Sequence, residues 1–239
     1  MRHGMRMRTA CRVVVVRFVV VMMGLLAAGW AQAPDLEPQS KTANIPAISF
    51  EFAFHGADPA SYAITVDSTG NASYRSEPKA EEGKVAGDPY LQQFLLMPPN
   101  RQIIFDLAKD LNFFQKDLNY TKTRVADMGT KTLTFRDGVH ENHTSFNYSS
   151  DLKAQELAKI FQDISTTLEF KRRLERMARF EPLALDSELK NLESAEKAGR
   201  LAEVQVLEPV LSRIASDHSV VNVARRRAEA FLARHPKQG

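Results

Sequence analysis

Two histidines three residues apart, in His140-Glu141-Asn142-His143, are the first place where residue type and spacing suggest chemistry, with His55 as a third imidazole. A zinc-binding helix of the His-Glu-x-x-His kind sets its ligands at i and i+4, on one face. Here the spacing is i, i+3 in a hairpin connection, and strands send successive side chains to opposite faces. Solvated loop histidines are the expectation, with no metal site. Asp127, Asp137 and Glu141 fall in the same polar region, 115–143, while Asp58 and Asp67 flank a turn. Two carboxylates facing each other across a sugar would support glycoside hydrolysis, but carboxylates at turns ordinarily serve local hydrogen bonds. Gly-x-Ser-x-Gly is absent. Ser212 and Ser40 lack the lysine of Ser-x-x-Lys, and Ser149 and Ser150 precede a helix, where capping accounts for them. Glycine-rich phosphate loops are absent as well. No catalytic, cofactor-binding or metal-ligating residue is assigned, and no cofactor is expected.

Lys171-Arg172-Arg173 and Arg225-Arg226-Arg227 are the two basic runs on expected helices. Contact with an anionic surface would use such clusters, but no aromatic array accompanies them. A solvated helical face, paired locally with Glu175 and Glu229, is the expectation. The formal charge of +3 does not argue for nucleic acid. Residues 1–33 hold five arginines and no acid, so without them 27 of the 32 basic residues remain against 29 acidic ones, a net of −2.

Those 33 residues read as a secretory signal peptide: a basic start, an apolar run from Phe18 to Ala28, then small residues. Ala31-Gln32-Ala33 fits cleavage after Ala33 but leaves Pro34 at the cut, and cleavage after Ala31 is the alternative. Val13 to Trp30 is interrupted by Arg17 and falls short of the ~20 apolar residues of a stable span. Cleavage is therefore expected rather than anchoring, with no membrane span afterwards. The single cysteine, Cys11, lies inside this segment, so the remaining chain has no disulfide, thiol nucleophile or thiolate metal site. No cysteine follows the apolar run, which closes the usual bacterial lipid-attachment route. The 206 residues left are enough to bury roughly 70% of their unfolded surface without staples.

After an extended leader, 34–46, with Pro34, Pro38 and Pro46, the period becomes two. Ile48, Phe50, Phe52 and Phe54 share one face; Tyr62, Ile64 and Val66 alternate next; a third strand passes through Tyr74. Short turns between them require an antiparallel meander. Residues 77–89 read as an exposed loop, Tyr90–Met97 as an edge strand, and Asn100 as the N-cap of a helix carrying Ile103, Ile104, Leu107 and Leu111. Lys131–Arg136, an Asp137-Gly138 turn and a return strand over 144–148 predict a hairpin with a long or bulged connection. From Asp151 the period is helical, first to about Phe180, then through Leu185, Leu189 and Leu192 to a Gly199 cap. It continues through Leu201–Ile214, with Pro209 kinking or restarting that helix, and ends in a helix over Val220–Leu232. The fold class is α+β: an antiparallel meander sheet packed against helices over 47–180, an all-helical hairpin appendage over 181–235, and a tail, 236–239. No internal repeat joins 150–198 to 200–235.

The order Gly56, Pro59, Tyr62, Ile64, Val66, Gly70, Tyr74, followed by Phe113, Phe114, Tyr120 and Asp127, resembles a family of uncharacterised secreted bacterial domains. Members usually carry a Gly-x-Cys-Pro-x-Tyr turn, a strand, a Gly turn and a strand ending in Tyr, then a helix, an aromatic pair, a Tyr and an Asp. This sequence has no cysteine at that turn. The likeness covers roughly 48–165, leaves out the helical appendage, and implies an exported domain without enzymatic activity. The compact, Arg-rich signal also looks bacterial, so the Asn-x-Ser/Thr triplets at Asn71, Asn119, Asn142 and Asn147 carry no weight as glycosylation sites.

The sequence thus predicts an exported protein, periplasmic or extracellular, that binds a protein partner or acts as an envelope-associated scaffold. Two alternatives stand beside it: a hydrolase using Asp127, Asp137, His140, Glu141 and His143, and an inhibitor of an exported enzyme that presents the loop 77–89. The patterning sets no oligomeric state.

Overall fold

Alternation of apolar and polar residues builds six strands, and one face of each is the core. In the computed structural model, residues 44–78 and 88–236 are described. The signal segment, the leader up to residue 43, residues 79–87 of the exposed loop and the tail from 237 lie outside them. The strands are β1 (Ala47–Ala53), β2 (Ser61–Asp67), β3 (Asn71–Glu77), β4 (Tyr90–Leu95), β5 (Thr130–Arg136) and β6 (Glu141–Phe146). They form one antiparallel sheet in the order β4-β3-β2-β1-β5-β6. Ile48, Phe50, Ile64, Val66, Tyr74, Leu133 and Phe135 point to one side, all buried. At an order of 1.5–3 kcal/mol for each large apolar side chain buried, this face is what fixes the register.

Two helices cover that face. α1 (Pro98–Asp110) buries Ile104, Leu107 and Ala108, so Ile103, expected on the stripe, lies outside it at 41% exposure. α2 (Leu152–Phe180) is 29 residues long, about 44 Å. Its first half contributes Leu157, Phe161, Ile164 and Leu168, and the Phe161 ring stacks on Phe50 at 5.1 Å. The core of the sheet ends on this helix at Leu168, and a second core begins at Phe170 and Leu174. α3 (Leu185–Lys197), α4 (Glu208–Ser216) and α5 (Asn222–Arg234) close around those two residues, with α4 and α5 as a helical hairpin. Gly199, at φ +63°, ends α3 as expected. Arg200 N–H donates to Ala195 O and Gly199 N–H to Glu196 O, the paired bonds of a left-handed helix cap. Pro209 sits in the first turn of α4 and starts that helix rather than kinking it.

Three local expectations are corrected. Asn100 is not the N-cap of α1. Pro98 and Pro99 open the helix, so two of the N–H groups that need capping do not exist, and Met97 holds the cap position. The β5–β6 connection is short: β6 begins at Glu141, opposite Arg136, which puts His143 in the strand instead of in a loop. The N-cap of α2 is Asp151, whose carboxylate accepts from Lys153 and Ala154 N–H. Ser149 stands two residues back and accepts from Asp151 N–H at 3.2 Å.

Candidate functional site

The carboxylates and imidazoles of region 115–143 are used one by one. Asp137 accepts the N–H groups of His140 (2.7 Å) and Val139 (2.9 Å), and its second oxygen lies 3.2 Å from His140 Nδ1. The two backbone donors, with the His140 ring, hold the Asp137 carboxyl at about 2. Glu141 is paired across the hairpin with Arg136 at 2.8 Å, and that bond lowers its pKa. Asp127 accepts Gly129 N–H at 2.9 Å. His143 lies opposite Thr134 on the uncovered side of the sheet, and His55 is exposed in the β1–β2 turn. Asp67 likewise serves its turn, accepting from Thr69 N–H and Asn71 N–H. The fold brings Asp137 to His140 and Arg136 to Glu141. Among the described residues no three His, Cys, Asp or Glu side chains converge as a metal site.

The basic runs are only in part the solvated faces expected. Lys171 does pair with Glu175 (2.7 Å), and it also donates to Gln92 of β4 (2.8 Å). Arg172 donates to Glu169 (2.7 Å). Arg173 donates to Glu188 of α3 (2.6 Å) with its guanidinium over the Phe170 ring. On α5, Arg227 bridges Asp186 and Glu193, and Arg225 donates to His218 Nδ1 at 3.0 Å. Lys171, Arg172, Arg173 and Arg227 thus meet acids of α2 and α3 before they meet solvent, whereas Arg225 meets His218 and Arg226 is exposed.

The least exposed polar constellation involves residues that the sequence reading passed over. Glu169, 3% exposed, accepts Tyr74 Oη at 2.7 Å and Ser76 Oγ at 2.6 Å on one oxygen, and Arg172 Nε on the other. Ser165 lies 3.1 Å from Tyr74 Oη and lines the same cleft as Tyr62. Burial, and for Tyr74 the Glu169 charge, push both phenols far above the ordinary tyrosine range, so they remain protonated donors. A cleft of about 270 Å³ reaches this cluster between Phe52, Pro59, Tyr62, Gln162 and Ser165. Both Glu169 oxygens are already engaged, so the carboxylate acts as a clamp between sheet and helix rather than as a free base. A signal did exist in the sequence: the core-facing parity of β3 runs Ala72, Tyr74, Ser76, which needs a polar group on the covering helix, and Ser165, Glu169 and Arg172 share one helical face.

Two further buried charges are also consumed. Lys131, on the core side of β5, donates to the carbonyls of Met128, Gly129 and Asn147, and burial lowers its pKa. Glu203, in the left-handed region at φ 57°, accepts Met97 N–H (2.9 Å) and the Asn100 amide (2.6 Å). It thereby ties the segment after α3 to the start of α1.

What stays open is the other side of the sheet, which no described helix covers. It is lined by short hydroxyl side chains, some bonded across strands: Ser49 to Thr65 at 2.9 Å and Thr132 to Ser145 at 2.8 Å. Charges of both signs sit among them. A shallow cleft of about 220 Å³ lies between Glu51, Ala63, Arg75, Glu77, Thr130 and Thr132. No helix among the described residues is long and apolar enough to cross a membrane. No protein-family model matches the chain, and no curated protein matches it.

Proposed function

We propose that the protein is an exported, non-catalytic binding protein of the bacterial envelope that holds a protein partner against the open face of its sheet. The observation that carries this reading is the face itself. It is broad and shallow, dressed with Ser, Thr and charges of both signs, and hollowed at its centre by the Ala63 cleft. Antiparallel sheets tolerate one wet face, and such a face suits a polar, hydrated contact. The buried ionisable groups fit the same reading, because Glu169, Lys131 and Glu203 spend their hydrogen bonds on the fold.

The test has two arms. The mass of the exported chain should begin at Pro34, or at Gln32 for the alternative cut; a chain retaining residues 1–33 overturns export by a cleaved signal. A partner captured from envelope fractions and then purified should bind wild type and lose at least tenfold in affinity to Ala63→Trp, which fills the cleft from the uncovered side. Equal binding by that variant, or hydrolase activity in the purified protein, overturns the reading.

A further inference from the structure

We propose that β4 is a self-pairing edge, and that two copies of this chain join through it into one continuous twelve-stranded antiparallel sheet. The two edges of the sheet are built differently. At the far end of β6 the segment 118–120 is laid close: Leu118 N–H donates to Thr144 Oγ1, and just past the strand Asn147 N–H donates to Asn119 Oδ1 and Tyr120 N–H to Tyr148 O. β4 is the other edge, with no described strand paired along its outer side.

Natural edges are usually protected by charge, proline or a bulge. β4, Tyr90-Leu91-Gln92-Gln93-Phe94-Leu95, has no charge and no proline, and it exposes Leu91 at 68% and Leu95 at 63%. A second copy therefore brings no like charge against it. β6 paired with itself would gather Glu141 and His143 side chains at the seam.

The phase of the ladder then selects one register. Leu96 N–H donates to Gly70 O, so Phe94, Gln92 and Tyr90 are the residues that exchange bonds with β3. Leu91, Gln93 and Leu95 are the alternate set, whose N–H and C=O groups point away from the sheet. A two-fold axis has to pass through a residue, not between two, for outward groups to meet outward groups. At Gln93 three outward pairs form, against two at Gln92: Gln93 faces its own copy, and Leu91 faces Leu95 of the second copy. Each of the three facing pairs can exchange two backbone hydrogen bonds. The exposed leucines of both copies come together on the open side, as a self-complementary two-fold contact requires.

Sedimentation velocity at tens of micromolar should give twice the mass of the chain. Gln93→Pro removes an outward N–H and should yield a monomer with the circular dichroism of wild type, its melting temperature independent of concentration where that of wild type rises with it. Leu91→Lys with Leu95→Lys, on exposed positions, should do the same and serves if the proline variant does not fold. In a Cys11→Ser background, Gln93→Cys should cross-link into a covalent dimer on mild oxidation, whereas Gln92→Cys, one residue out of phase, should not. A monomeric wild type at all concentrations, a dimer that survives both edge variants, or equal cross-linking at 92 and 93 overturns the proposal.

Discussion

Glu169 joins the sheet to its covering helix through Tyr74, Ser76 and Arg172, and it is nearly without solvent. Removing one partner of a buried charged network costs more than the network contributes, because the remaining groups lose both water and acceptor. Glu169→Ala should therefore lower the unfolding free energy by about 3 kcal/mol, read from urea midpoints. Glu169→Gln, which keeps one carbonyl acceptor, should cost less than half of that. Equal midpoints for wild type and Glu169→Ala would show that water replaces the clamp. Residue-scale features such as this one were poorly legible in the sequence. Residues 168–173 read as the end of an apolar stripe followed by a basic run, and the partner that turns Glu169 inward lies 95 positions away at Tyr74. Lys131 was hidden for the same reason. It shares parity with Leu133 and Phe135, but the carbonyls that make its burial tolerable come from Met128, Gly129 and Asn147. The local roles of Asp67 and Asp137 were legible, because an Asx turn needs only the next two or three N–H groups.

At the scale of elements, what periodicity controls was readable: all six strands, the edge position of β4, the length of α2 and the cap at Gly199. What escaped was backbone set by tertiary demand. Asn112, Phe113 and Phe114 take three successive left-handed conformations (φ 51°, 49° and 63°) at a cost on the order of 1–2 kcal/mol each. No local rule predicts that from Asn-Phe-Phe. The turn is offset by packing, since it buries Phe114 and lays Phe113 on Phe135 at 4.4 Å. Gly199 and Gly129 separate backbone strain from sterics. A Cβ at Gly199 would meet nothing within 4 Å, so Gly199→Ala should cost only the left-handed backbone term, about 1 kcal/mol. A Cβ at Gly129 would lie 2.6 Å from the Phe52 ring, so Gly129→Ala carries the same backbone strain plus a clash. Thermal melts of the two variants should rank accordingly, and equal losses would mean that Phe52 moves aside freely.

Across the whole molecule, α2 is a shared wall: its first half closes the sheet core, and Phe170 and Leu174 enter the core of α3, α4 and α5. Glu203 adds a second tie by accepting from Met97 and Asn100 at the start of α1. The two cores should then melt together, and the buried phenols supply the probe. Tyr62 and Tyr74 have folded pKa values raised well above the unfolded value of about 10, chiefly by burial. Between those values the folded state keeps protons that the unfolded chain releases. Their contribution is fully present below pH 10 and is lost as pH climbs, at about 1.4 kcal/mol per pH unit for each group. Alkaline titration followed at the tyrosinate band should therefore show Tyr62 and Tyr74 ionising only as the protein unfolds, in a sharp step that coincides with loss of helical circular dichroism from α3–α5. The band is clean because Trp30, the only tryptophan, lies in the segment read as the signal. A gradual titration of every phenol near pH 10, with helicity retained, would mean that the Tyr74–Glu169 cluster is open to solvent. A helical signal lost well before the phenolate step would mean that α2 does not couple the two cores.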